Sequence, residues 1–334
     1  FLHICLLVPF IFFKCLKLIY KDCNNLTLFL LSLLIFFSPH FRAYAIWAGE
    51  TNLGLLFLII AIYFYLKLLE KKQTKENNYF LFILLNVLFI ALSAHARPIY
   101  SLISIYFFIK YIELFKFKLE TLQFVLLNII FAFPAFYYFV LLDNYPFVLY
   151  SNFFYNPSLT LYSTNIILTS SIILFYCTPF LIFNFKPQIK NLIVFNKKNI
   201  AFFTLSTFVT LFFIYNFQYN EIMNGGGIFY KLSNKALGNN YFLFFLSFIS
   251  IYFILRIIFK KNLNDFILIF VIICFDPDPW IYHKSFDPIL FCLLLTLFQD
   301  DIFKNLNSKN EKLFSKIILF YYLLVFLLYL SIRT

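Results

Sequence analysis

The 334 residues carry 27 Lys and Arg against 15 Asp and Glu, a net charge of +12, yet only 13% of the chain is charged while 63% is hydrophobic and 24% aromatic. So few polar groups cannot cover so much apolar surface in water, and the composition places the chain in a lipid bilayer. The apolar runs are continuous rather than alternating, which excludes a membrane β-barrel and leaves an all-α, polytopic transmembrane helical bundle.

Taken in chain order, apolar helices are predicted at about 1–13, 26–38, 53–67, 79–94, 99–112, 121–142, 164–184, 200–216, 241–259, 265–275, 285–298 and 313–331, or about 11 to 12 spans. Several approach the roughly 20 residues a crossing requires, and the shorter ones must tilt or thin the bilayer. One integral membrane domain over residues 1–334 is the expected organisation. Residue 1 is Phe and the single methionine is Met223, so a helix and an outward loop are expected to precede "FLHICLLVPFIFF". Six cysteines show no CxxC or zinc spacing and fall mostly within apolar runs, as buried free thiols do. No cofactor is expected, and no metal site either, since Asp276 and Asp278 alone are too few ligands for a divalent ion.

The connections divide sharply by charge. If they alternate sides, all but six of the 27 cations fall on one side, and the exceptions are Arg42, Arg97, Lys231, Lys235, Lys284 and Arg333. Lysine-rich connections stay in the cytoplasm, so the six mark the outward side. The net positive charge is then a topology signal, and no nucleic-acid partner is expected. All four histidines, both tryptophans and the glycine triplet map to the outer half, so a reactive site is expected to face away from the cytoplasm.

Four outward stretches hold the unusual chemistry. "SPHFRAYAIWAGETN", residues 38–52, brings Arg42, Trp47 and Glu50 to the end of an apolar run. An interfacial segment anchored by Trp47 would give this pattern, and so would a site in which Arg42 grips a phosphate-bearing headgroup and Glu50 handles a proton. "SAHARPIY", residues 93–100, holds His95 and Arg97 in a tight turn, either as a headgroup anchor or as a second cation for the same anion. "NGGGIFYKLSN", residues 224–234, offers Gly225, Gly226 and Gly227 for close backbone approach, with Lys231 as counter-charge. It lacks the Gly-Lys-Ser/Thr of a nucleotide loop and reads as a flexible re-entrant loop or a lid. "CFDPDPWIYHKSFDP", residues 274–288, packs His283, Lys284 and Asp287 with Asp276 and Asp278 into a proline-broken connection at membrane depth, where ionisable groups point to function.

In order and spacing these stretches resemble the multi-spanning glycosyltransferases of the GT-C superfamily. "SPHFRAYAIWAGETNLGLLFLIIAIYF" is similar to a helix ending in a Pro-x-x-Arg-like turn, a short polar segment closed by an acid, and a long apolar helix. "HARPIY" is similar to the Arg turn after the next helix, and "NGGGIFYKLSN" and "YHKSFDPILF" to late loops of the α-1,2-glucosyltransferase branch. The resemblance spans roughly residues 30–300 on short motifs. It implies a polyprenyl-phosphate-linked sugar donor, a lipid-linked glycan or envelope acceptor, and a site on the periplasmic face of a bacterial inner membrane. It also implies Glu50 as catalytic base, with Arg42, His95, Arg97, Gly225, Gly226, Gly227, Lys231, His283, Lys284 and Asp287 binding substrate and phosphate. Members of the superfamily usually place a catalytic acid in the first outward loop, which here would precede Phe1. Two other readings share parts of this pattern: a lipid-linked polysaccharide polymerase or ligase, which needs a large outward loop, and a flippase or transporter without chemistry.

Overall fold

The computed structural model describes residues 2–74, 78–137, 158–183, 197–219, 225–259, 263–274, 281–299 and 310–333. Every regular element among the described residues is helical. Five helices are long and apolar enough to cross a membrane: Leu2–Ile19, Glu50–Gln73, Pro98–Phe115, Leu119–Phe136 and Leu159–Phe183. The pair Asn25–Phe37 and Pro39–Ile46, bent by 71°, makes a sixth if it counts as one span. Phe80–Ala96, Asn199–Tyr215, Tyr241–Arg256 and Leu263–Ile273 are apolar but shorter. This set is compatible with a multi-pass membrane protein. The chain divides into two compact units.

The first unit takes in Phe1–Pro146, Phe291–Phe298 and Phe303–Thr334. Its helices include α1 (Leu2–Ile19), α2 (Asn25–Leu33), α3 (Pro39–Ile46), α4 (Glu50–Gln73), α5 (Phe80–Ala96), α6 (Ile103–Phe115) and α7 (Leu119–Phe136), together with a helix over Glu311–Arg333 near the end of the chain. The helix α1 buries Val8, Phe12, Cys15 and Leu16 on one stripe and leaves Leu2, Leu6, Leu7 and Phe10 exposed. On α7 the exposed side chains are Leu122, Leu126, Ile129, Ile130 and Phe133, a face that would aggregate in water and suits hydrocarbon. With lipid outside, burying apolar surface does little to hold helices together, and packing and interhelical hydrogen bonds take over.

The α4–α5 pair shows how. Asn86, fully buried, donates Nδ2 to the Ala61 carbonyl at 2.8 Å, and Ser93 Oγ donates to the Gly54 carbonyl at 2.8 Å. As α5 advances from Asn86 to Ser93, its partners retreat along α4 from Ala61 to Gly54, so the two helices run antiparallel. Such bonds contribute about 0.6–2 kcal/mol each in a membrane protein. The segment 291–298 is held in this unit by Tyr20 Oη on the Leu295 carbonyl and Tyr106 Oη on the Leu297 carbonyl, both at 3.2 Å.

The second unit comprises Phe147–Leu290 and Gln299–Ile302. Its helices are α8 (Leu159–Phe183), α9 (Lys197–Tyr215), α10 (Gly227–Leu237), α11 (Tyr241–Phe259) and α12 (Leu263–Ile273). The central α8 buries Ser163, Thr164, Asn165, Thr169, Ser170 and Ser171, small polar residues that admit neighbouring helices closely. Ser247 and Ser250 of α11 donate to the carbonyls of Ile167 and Ser170. Both partners advance by three residues in the same sense, so α8 and α11 run parallel. The helix α10 is entered through Gly226 and left through Gly238, both left-handed.

Candidate functional site

In the first unit the site residues gather at the N-terminal end of α4. Ser38 caps α3 by accepting the Phe41 N–H at 3.0 Å, and Pro39 supplies the first helical position, where its missing N–H costs nothing. The helix predicted over 26–38 therefore ends at Ser38, and α3 carries Arg42 away at an angle of 71°. Arg42 Nε is buried and has no hydrogen-bond partner among the described residues, and its guanidinium lies 4.5 Å over the Phe326 ring. Trp47 is exposed at the C-terminal end of α3, and Glu50 is exposed in the first turn of α4.

Thr51 and Asn52, next to Glu50, hold this end together. Asn52 Nδ2 donates to the Phe41 carbonyl at 2.7 Å and so ties down the turn that bears Arg42. Arg97 Nη1 donates to Thr51 Oγ1 at 3.1 Å, which extends the antiparallel ladder of Ser93 and Gly54 by one rung. The backbone of Arg97 is extended because Pro98 follows it, so α5 stops there and the guanidinium turns toward α4 and the Tyr100 ring, 5.7 Å away. His95 is exposed, and its Nε2 lies 3.2 Å from the Phe131 carbonyl. A carbonyl only accepts, so Nε2 carries the proton there. Arg42, Glu50 and Arg97 thus share one end of the first unit, linked through Thr51 and Asn52.

The second unit assembles the other group. Tyr176 on α8 donates Oη to Asp287 Oδ1 at 2.8 Å, and the same hydroxyl lies 3.1 Å from His283 Nε2. Tyr176 and Asp287 are both buried, and the Tyr176 and His283 rings are near-parallel at 17°. A phenol has one proton. With it directed to Asp287, the contact to His283 is made by an Nε2–H donor, which leaves Nδ1 as the basic atom of the neutral ring.

The glycine triplet packs against the same loop. Gly226 N–H donates to the Ile281 carbonyl at 2.7 Å, and a Cβ on Gly225 would lie 2.5 Å from that carbonyl oxygen. Gly226 has φ +87°, and a Cβ there would meet the Tyr230 ring at 2.2 Å. The stretch read as a flexible loop or lid is therefore a buried seat for the 281–285 segment, with glycine required by left-handed backbone and by close contact with protein. A Cβ on Gly227 would lie 3.9 Å from His283 Nδ1, so the triplet borders the imidazole. Lys284 Nζ lies 4.4 Å over the Tyr282 ring, and Lys231 is exposed on α10.

Asp276 and Asp278 lie outside the described residues, and no group of three potential metal ligands occurs among those described. All six cysteines are free: Cys5, Cys15, Cys23, Cys177 and Cys292 are buried and Cys274 is half-buried. Tyr176 was not legible as a site residue, because "FYC" in an apolar run reads as core. Thr51 and Asn52 carried a faint signal, two polar residues opening a long apolar helix beside Glu50. No known protein family, curated protein or solved structure matches the chain.

Proposed function

We propose that the chain is a multi-pass membrane glycosyltransferase of GT-C type, with about 11 to 12 spans, that moves a sugar from a polyprenyl-phosphate carrier to a lipid-linked or envelope acceptor at the extracytoplasmic face. The observation that carries the reading is the Asp287–Tyr176–His283 array, in which Asp287 and Tyr176 are buried and His283 is half-buried. Burying a carboxylate against one hydroxyl costs a membrane bundle stability that apolar packing would not, and ionisable groups at membrane depth mark sites of chemistry. Arg42 and Arg97, joined through Thr51 and Asn52, support it as a pair of cations suited to a phosphate.

The reaction is substitution at the anomeric carbon of the donor sugar. An acceptor hydroxyl oxygen forms the new bond as the bond to the carrier phosphate breaks, and the polyprenyl phosphate leaves with the electron pair. The acceptor's proton passes to a carboxylate, either Glu50 or Asp287. The Arg42 and Arg97 guanidinium groups, beside the leaving phosphate, stabilise the charge that grows on it.

The test is transfer from a radiolabelled polyprenyl-phosphate sugar by membranes holding the full-length protein, with the variants Arg97→Ala, Glu50→Gln and Asp287→Asn. Loss of transfer in Arg97→Ala with normal membrane insertion is expected, and one of the two carboxylate variants should lose at least a hundredfold in rate, as removal of a general base does. Full transfer by Arg97→Ala would remove Arg97 from the site, and full transfer by both carboxylate variants would remove the proposed proton acceptors.

A further inference from the structure

The short helix α3 is bent by 71° from the stretch Asn25–Phe37 and ends on Ile46 and Trp47, which are 75% and 77% exposed. We propose that α3 lies in the plane of a lipid–water interface and that its Ile46–Trp47 end inserts among the phospholipids there as an anchor. The proposal is independent of the glycosyltransferase reading.

Depth is the first reason. From Thr51, which holds Arg97, to Lys71 is 20 residues of continuous helix, or about 30 Å at 1.5 Å per residue, the thickness of a bilayer's hydrocarbon core. The two ends of α4 therefore stand at the two interfaces. Lys21, just before α2, lies 4.0 Å from Glu70 near one end, and the Phe41 carbonyl of α3 accepts from Asn52 near the other. The stretch Asn25–Phe37 thus runs alongside α4, and α3 sits at the level where α4 begins. An eight-residue helix is about 12 Å long, and at 71° to that stretch it rises only about 4 Å along it. Such a helix stays at one depth and does not return toward the bilayer centre.

The exposed end is the second reason. Phe41 and Ala45 bury one side of α3 against protein. The Trp47 N–H donates to the Ala43 carbonyl at 3.0 Å and the Gly49 N–H to the Tyr44 carbonyl at 2.9 Å, a closure that holds Ala48 at φ +51°, where a side chain is strained. A Cβ on Gly49 would strike the Tyr44 ring, so the turn is packed as well as bonded. What this fixed turn presents is an isoleucine and an indole, an apolar body with one N–H for the water side, the combination that collects at headgroup depth. The exposed Ile4 and Leu6 of α1 continue this apolar surface at the same level, because Cys5 between them accepts from Asn52 at 3.6 Å.

The test reads Trp47 fluorescence in the full chain carrying Trp280→Phe, which removes the only other tryptophan. The protein is reconstituted into phosphatidylcholine vesicles brominated either near the headgroup or near the chain ends. Bromine near the headgroup should quench about twofold more strongly than bromine near the chain ends, and aqueous acrylamide should quench only weakly. Should Trp280→Phe fail to fold, the difference in quenching between the unaltered chain and Trp47→Phe reports the same indole. Stronger quenching by the deep bromine would make α3 a re-entrant segment. Strong quenching by acrylamide with none by bromine would place its end in water, and no quenching by either would mean that a second copy or another part of the chain covers it. Each of these three results would overturn the proposal.

Discussion

Replacing Tyr176 with Phe removes a single oxygen from the centre of the second unit and leaves the ring in place. The hydroxyl donates to a carboxylate that is only 8% exposed, and a hydrogen bond to a charged, buried acceptor is worth about 1.5–3 kcal/mol. Its contact with His283 Nε2 adds about 0.5–1.5 kcal/mol, so Tyr176→Phe should destabilise the fold by about 2–4 kcal/mol. In an Asp287→Asn background the acceptor is neutral, and the same change should cost about 1–1.5 kcal/mol less. Equilibrium unfolding in mixed micelles, followed by far-ultraviolet circular dichroism on the two single variants and the double variant, measures that difference directly. A coupling below about 0.5 kcal/mol would mean that Tyr176 and Asp287 do not act as a pair, and the array would lose its central bond.

The glycine at 226 should prove far less replaceable than the one at 238. Both have positive φ, but a Cβ at Gly226 strikes the Tyr230 ring while one at Gly238 meets open space. Gly238→Ala should cost about 1–2 kcal/mol from its backbone alone, and Gly226→Ala clearly more. Equal losses in thermal unfolding would contradict the packing of the triplet. Cys23, between α1 and α2, supplies a pH test. Burial first, and then the Glu311 carboxylate, push its thiol up from 9.0 to about 11. At pH 8 the thiolate is then about 100-fold scarcer than for an ordinary cysteine, and maleimide labelling of a variant keeping only Cys23 should be slowed accordingly and rise with pH through 11. Glu311→Gln should speed labelling without restoring the ordinary rate, because burial, the larger cause, remains. The same raised thiol stabilises the fold fully below pH 9, and that contribution fades as pH climbs through 11.

Composition and local pattern alone determined that the regular elements among the described residues are helical and where most of the helices lie. Hydrophobic runs need no partner to be recognised, and the helices found at Glu50–Gln73, Phe80–Ala96 and Leu159–Phe183 enclose the predicted cores of those spans. Ser38 and Pro39 likewise announced a break by their own chemistry. The tertiary structure decided what each polar side chain answers to. Tyr176 and His283 are 107 residues apart, and Arg97 meets Thr51 across 46. It also decided that the glycine triplet is a packed seat for residues 281–285, since a glycine's lack of a side chain reads the same whether ligand or protein fills the space. Hydropathy is a property of consecutive residues, whereas a hydrogen bond between helices depends on their register and rotation, which packing sets once the helices have formed.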